Sequence, residues 1–305
     1  MNKKLKIYII VCICLIVSGL CFAGIGLMLG SDGNIELNHF SWDLGDNSSG
    51  LHIGTSDQES TVTLSGQRVT ESTEVKQPVN VIKTKVTLGN IRMIESNDFK
   101  VVYTYDKKFG KPEIKVSNGT LSIVDKLSKK DINLGIKKEN SLKNNDGIEY
   151  KIYYPKGTKV KLIDMENNLG NVDISGIETE ALNIRLDLGD VELTGVKGGT
   201  VSLDTNLGDV SIKNIQTQGL SVDTQMGDID IDGTLKGKNT IVSDMGDIDV
   251  QTTLNKEEYS LKLNTDMGDI TAGKDSTEGT YEVHNNSDNL IDAQASTGDI
   301  RVEFH

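Results

Sequence analysis

Cysteine is confined to the first tenth of the chain: Cys12, Cys14 and Cys21 are the only three, so nothing beyond residue 29 can form a disulfide or use a thiol. Histidine is nearly as scarce, with His39, His52, His284 and His305 scattered at no metal-ligand spacing. There is no Gly-x-Ser-x-Gly elbow and no phosphate loop. Positive charge is short as well: beyond residue 29 there are 29 basic against 45 acidic residues, a balance of −16. That sign disfavours nucleic acid, and it disfavours an anionic lipid or wall polymer unless a cation bridges them. Helical spacing is absent from the body of the chain, and its central part contains almost no aromatics, the usual platform for a sugar ring. These gaps leave little for a carbohydrate-cleaving enzyme or any other catalyst.

What is present is a repeat. Asn-Leu-Gly-Asn-Val-Asp-Ile at 168–174 returns as Asp-Leu-Gly-Asp-Val-Glu-Leu at 187–193 and Asn-Leu-Gly-Asp-Val-Ser-Ile at 206–212. Two more copies follow at 225–231 and 244–250. Gly170, Gly189, Gly208, Gly227 and Gly246 are spaced by 19 residues, and looser copies fall at Gly268 and Gly298. Between glycines, two short segments alternate apolar and polar residues, as in Val191/Leu193 and Val201/Leu203. Alternation of period two reads as half-buried strand, and a fixed period near 20 reads as a solenoid. The expected fold is therefore all-β: a parallel β-solenoid, right-handed by the crossover rule, with two strands per coil and consecutive coils stacked in order. The glycines should mark corners at positive φ. The residue before each (Leu169, Leu188, Leu207, Met226, Met245, Met267) is expected to plug that corner.

The remaining segments divide as a short tail at 1–6, an apolar run at 7–29, a polar stalk at 30–78 and an N-terminal β cap at 79–125. An insertion at 126–147 and the repeats at 148–305 complete the chain. The run from Ile7 to Leu29 follows Lys3, Lys4 and Lys6 and is long enough to cross a bilayer as one helix, with the lysines inside and the bulk of the chain outside. A cleaved signal peptide is the rival reading, with Cys21-Phe22-Ala23 a poor cleavage site. Residues 255–258 and 285–295 are expected as loops leaving the stack.

The residue after each glycine is Asn171, Asp190, Asp209, Asp228, Asp247, Asp269 or Asp299. Stacked about 4.8 Å apart, such carboxylates repel by about 1 kcal/mol in water and by several times that when shielded. Either a hard cation such as Ca²⁺ lies between coils, or each side chain accepts a backbone N–H in its own corner. Asn171 favours the second, since an acceptor suffices there and a charge is not needed. A metal, if held, belongs where acids are densest, at Asp228, Asp230, Asp247, Asp249 and Asp269. No other cofactor is implied.

An opening strand ending in Pro155-Lys156-Gly157-Thr158, followed by repeated Gly-Asp-[Val/Ile]-x-[Val/Ile/Leu], resembles the bacterial putative-adhesin family of domains of unknown function. The resemblance covers about Val79 to Val302. It implies a membrane-anchored cell-surface β-solenoid that binds an extracellular protein or glycan without catalysis, and it brings no catalytic residues with it. The acidity also admits an alternative, an envelope-stress protein that captures cationic peptides.

Overall fold

The computed structural model describes residues 67–127 and 147–304, and the paths of β1 (Ile53–Thr55) and β2 (Gln58–Ser60). The chain forms two compact units, Met1–Thr61 and Val62–His305. In the first, β1 and β2 pair antiparallel. The apolar run at 7–29, most of the expected stalk and most of the insertion at 126–147 lie outside the described residues. Among the described residues no helix is long and apolar enough to cross a membrane. The sole helical element there is a single 3-10 turn, Lys256–Glu258. The single-pass membrane placement is therefore withdrawn, because nothing described supplies the span it requires.

Apart from that turn, every regular element among the described residues of the second unit is a strand. The central body runs β10 (Lys159–Leu169), β11 (Val172–Ser175), β12 (Glu178–Leu188), β13 (Val191–Thr194) and β14 (Lys197–Leu207). It continues as β15 (Val210–Met226), β16 (Ile229–Met245) and β17 (Ile248–Thr252). Long and short strands stack on separate faces, parallel and in register: Leu182 on Val201 on Leu220, and Val191 on Val210 on Ile229. Alternation explains the stacking. Leu182, Ile184, Leu186, Val191 and Leu193 of one coil are all buried, at roughly 1.5–3 kcal/mol each, and only neighbouring coils can cover them. The pairing skips Lys161, Glu180 and Gly199, and the inward phase slips by one residue there. Each long strand therefore turns a short third side at its start, a feature that a reading of two strands per coil leaves out. The corner beyond each short strand takes positive φ at Gly176, Gly195 and Asn214; Asn214 is one of the few residue types that tolerates it.

At both ends, chain order and spatial order part company. After β17 the chain runs out to β18 (Ser260–Ala272) and its antiparallel partner β19 (Asp275–Val283). It then returns as β20 (Leu290–Thr297) and β21 (Ile300–Phe304). Ala293 lies between Ile241 and Leu263, and Val302 between Val250 and Ala272. The coil made by β20 and β21 is thus internal, and residues 290–295, part of the stretch 285–295 expected to loop out, lie in a strand of the stack. The small side chains Ala293 and Ala295 are buried in this gap.

The opening end does the same. The coil of β4 (Val81–Val86) and β5 (Asn90–Ser96) sits between β10 and β11 on one side and β8 (Thr120–Val124) and β9 (Glu149–Pro155) on the other. Antiparallel strands β3 (Arg68–Glu74), β6 (Lys100–Asp106) and β7 (Glu113–Ser117) close that end. Tyr103, Tyr150 and Tyr154 are buried in this end of the stack.

A chain ending after Val283 should leave β18 and β19 without the coil that holds them to β16 and β17. Hydrogen exchange is then expected to lose protection across residues 260–283 while residues 159–226 keep theirs; unchanged protection at 260–283 would contradict the insertion.

Candidate functional site

The corner glycines build the most regular feature of the surface. Gly170, Gly189, Gly208, Gly227, Gly246 and Gly298 have φ between +133° and +148°, whereas Gly268 falls outside that region. Backbone bonds run forward through the corner: Gly189 N–H donates to Leu207 O at 2.9 Å and Val191 N–H to Asp209 O at 2.9 Å. The coils approach so closely that a Cβ on Gly208 would lie 2.0 Å from Gly189 O.

Beside the glycines runs a file of side-chain bonds in the opposite direction. Asp209 N–H donates to Asp190 Oδ1 at 3.1 Å, Asp228 N–H to Asp209 Oδ1 at 2.9 Å and Asp247 N–H to Asp228 Oδ1 at 2.8 Å. The file continues through Asp299 to Asp269, each at 2.8 Å, following the spatial order of the coils. It begins at Asn90 and Asn171, whose amide oxygens accept in the same way. The acceptor therefore serves the neighbouring coil and not its own corner, which corrects the sequence expectation. A charge-assisted bond per rung offsets the repulsion between stacked carboxylates.

The residue before each glycine also departs from expectation. Leu88, at the first corner, is buried, and Leu169 is partly buried against the core. Leu207 and Met226 are 40% and 41% exposed, Met245 47% and Met267 57%. These side chains do not plug the corner; they form an outward file in register, interrupted at Thr297. The cause is that the buried place is already taken by the residue two before them (Thr205, Thr224, Ser243, Thr265), so alternation breaks at the bend and sends the next two outward.

The acids expected to hold a metal are divided between two files. Asp228, Asp247 and Asp269 belong to the corner, while Asp230 and Asp249 face each other across β16 and β17, with Arg301 Nη1 3.3 Å from Asp249 Oδ2. Asp228 and Asp247 each already commit one oxygen to a backbone N–H, which leaves few of the six to eight oxygens that Ca²⁺ takes. Among the described residues no three His, Cys, Asp or Glu come together as a metal-binding group.

Charge is uneven on the outer faces. Lys85 Nζ lies 2.8 Å from Glu166, and that bond holds the Glu166 carboxyl below its ordinary range. Asp223 stands directly beside Asp204 in register; burial first, then Asp204 and Asp244, push its carboxyl up. Asp230 is raised likewise, by burial first and then by Asp249, Asp228 and Asp209. At the opposite end of the long strands is an open polar cleft of about 510 Å³, lined by Glu178, Lys197, Gln216, Gln218 and Lys236 over Gly198 and Gly199. Sequence reasoning missed this cleft. Its signal was the pair Gly198-Gly199, where neighbouring coils carry Thr179-Glu180 and Thr217-Gln218.

Gly208→Ala should cost more than about 2 kcal/mol of unfolding free energy, since backbone and not a flexible side chain opposes the methyl. Asp209→Asn, which keeps the acceptor for Asp228 N–H, is expected within about 0.5 kcal/mol of the parent, and Asp209→Ala to lose about 1–2 kcal/mol. Denaturant titration reads both; equal losses for Asn and Ala would remove the inter-coil acceptor from the account.

The pH dependence has a definite sign. A carboxyl raised in the fold destabilises fully at neutral pH, and the penalty fades as pH falls from the raised value towards the ordinary 3.8. Glu166 acts oppositely: its contribution is present above 4.5 and is lost as pH drops through the depressed folded value. The melting temperature should therefore rise as pH falls from neutral towards the ordinary carboxyl range, until the loss of the Glu166 contribution below 4.5 reverses it, and Asp223→Asn should flatten the rise. Parallel curves for parent and variant would show that Asp223 carries none of it.

No curated protein matches the chain significantly. Among solved structures it is similar to a putative cell adhesion protein from Clostridium sporogenes, at 16% identity and a TM-score of 0.36, covering 78% of this chain and 100% of that one. A putative adhesin from Bacteroides fragilis gives 15% identity and a TM-score of 0.39, with 79% and 98% covered. A putative lipid binding protein from Parabacteroides distasonis gives 17% and 0.40, again with 79% and 98% covered. At these TM-scores the likenesses say nothing of function. The Toastrack DUF4097 family model, in contrast, matches residues 79–302, nearly three quarters of the chain and the whole of the glycine corner. The chain belongs to the Toastrack DUF4097 family.

Proposed function

We propose that this protein is a non-enzymatic, adhesin-like binding scaffold that presents straight files of outward side chains to a protein or glycan. The observation that supports this most is the register itself. Outward positions such as Asp173, Glu192, Ser211 and Asp230 recur at one strand spacing on a flat face, so contact is spread along a line and not gathered into a pocket. Catalysis needs groups converging on one reacting atom. The polar cleft over Gly198 and Gly199 adds amide, carboxylate, ammonium and threonine hydroxyl groups that can hydrogen-bond a sugar.

The full chain offered to immobilised glycans and proteins should bind at least one saturably and release no product. Lys197→Glu combined with Lys236→Glu is expected to weaken glycan binding about tenfold while leaving the melting temperature in place. Product release would replace the scaffold with a carbohydrate-active enzyme, and a folded chain that binds no member of the panel would leave the scaffold without support.

A further inference from the structure

Among the described residues, Leu207, Met226, Met245 and Met267 form an outward file of large apolar side chains left exposed. Large apolar side chains 40–57% exposed in one straight line are not what a stack of this kind needs for stability, since its core is complete beneath them. Extended back through Leu188 to Leu169, the file crosses seven coil positions, roughly 29 Å at the strand spacing. Thr297 is the one polar member.

What borders the file limits what can cover it. On one side lie Asp190, Asp209, Asp228, Asp247, Asp299 and Asp269; the first five each accept a backbone N–H from the next coil through one oxygen, and Asp269 ends the file as a donor only. On the other side, in the position before the apolar residue, are Asp187, Asp244 and Asp266 among neutral polar side chains. An apolar ridge between two acidic margins repels a second copy of itself, because a two-fold pairing would set aspartate against aspartate. It also repels an anionic lipid surface. The complementary object is a narrow apolar stripe flanked by lysine or arginine.

We infer that the glycine corner docks a cationic amphipathic helix, laid along the stack with its apolar stripe on the Leu/Met file and its basic flanks against the two aspartate margins. The inference rests on the scaffold reading and names the partner for this corner. A helix spanning 29 Å needs about 19 residues at 1.5 Å each. Its turns repeat every 5.4 Å against about 4.8 Å for the coils, so the two patterns drift by roughly 3 Å over the full length. Methionine, unbranched and polarizable, absorbs such a drift better than a β-branched side chain would, and three of the four most exposed members are methionine.

The probe is a synthetic peptide of about 18 residues, leucine on one face and lysine on its flanks, measured against the full chain by fluorescence anisotropy. Three controls accompany it: the same composition scrambled to lose the stripe, a version with glutamate for lysine, and vesicles of zwitterionic lipid. The amphipathic cationic peptide should bind, weakening as salt rises, and the controls should not. The variant Leu207→Gln, Met226→Gln, Met245→Gln should bind at least about tenfold more weakly with an unchanged melting temperature, since those side chains are exposed. Asp209→Asn, Asp228→Asn, Asp247→Asn keeps the acceptor at each rung and should lose most of the salt dependence. Binding of the scrambled or acidic peptide as tightly as the probe would overturn the inference, as would full affinity in either variant. So would a dimer of the parent that the glutamine variant dissolves, or capture of vesicles through the same residues. Binding to the glycan or protein panel without binding to the peptide removes the inference and leaves the scaffold standing; product release removes the scaffold whatever the peptide does.

Discussion

The structure depends on how closely one corner follows another. Where the chain turns from a long strand into a short one, the carbonyl of one glycine occupies the space that a Cβ on the next would need. That contact sets the coil spacing at the corner, and the parallel register on both faces follows from it. A side chain there would push two coils apart locally and tilt the strands leaving the corner, so the buried files of Val, Leu and Ile would lose contact on both sheets at once. The 19-residue period is the visible trace of this constraint.

Given that spacing, charge becomes the next problem, and the fold answers it with hydrogen bonds at the corner and leaves it open on the faces. A carboxylate that accepts the N–H of the coil beyond is both a spacer and a link, and asparagine at Asn90 and Asn171 performs the same task without charge. On the outer faces lysine or arginine supplies the counter-charge, as Lys85 does for Glu166. Beside Asp223 and Asp230, burial and like charge raise the acids, and Lys213 only partly offsets this at Asp230.

Much of this was legible in the sequence, because a perfect period carries register with it. The all-β coil, its inward residues and the acceptor role of the residue after glycine could all be read from the spacing of Gly170 to Gly246. What could not be read is whatever depends on neighbours in space and not in sequence. The acceptor serves the next coil because corners stack; no single copy of the motif shows that. The leucines and methionines before glycine look like core, and only the bend reveals that alternation has been broken. Residues 290–295 belong to the stretch 285–295 that reads as a loop because the spacing from Gly268 to Gly298 lengthens to 30, yet small side chains such as Ala293 and Ala295 are what a coil fitted between two others can hold. The exposed file and the Gly198-Gly199 cleft were missed for the same reason: both are properties of several coils together.

The insertion of β20 and β21 has a consequence for how the molecule is made. During synthesis β18 and β19 emerge before the coil that will separate them from β16 and β17. In that interval the open edge of β16 and the inward residues of β18 are mutually compatible, so the nascent chain can zip them together directly. Such a premature pairing must open again to admit the later strands, which makes its reversal a slow step and leaves an unpaired parallel edge exposed meanwhile. A fold whose middle is a simple repeat thus carries, near one end, an assembly order that its repeats alone do not impose.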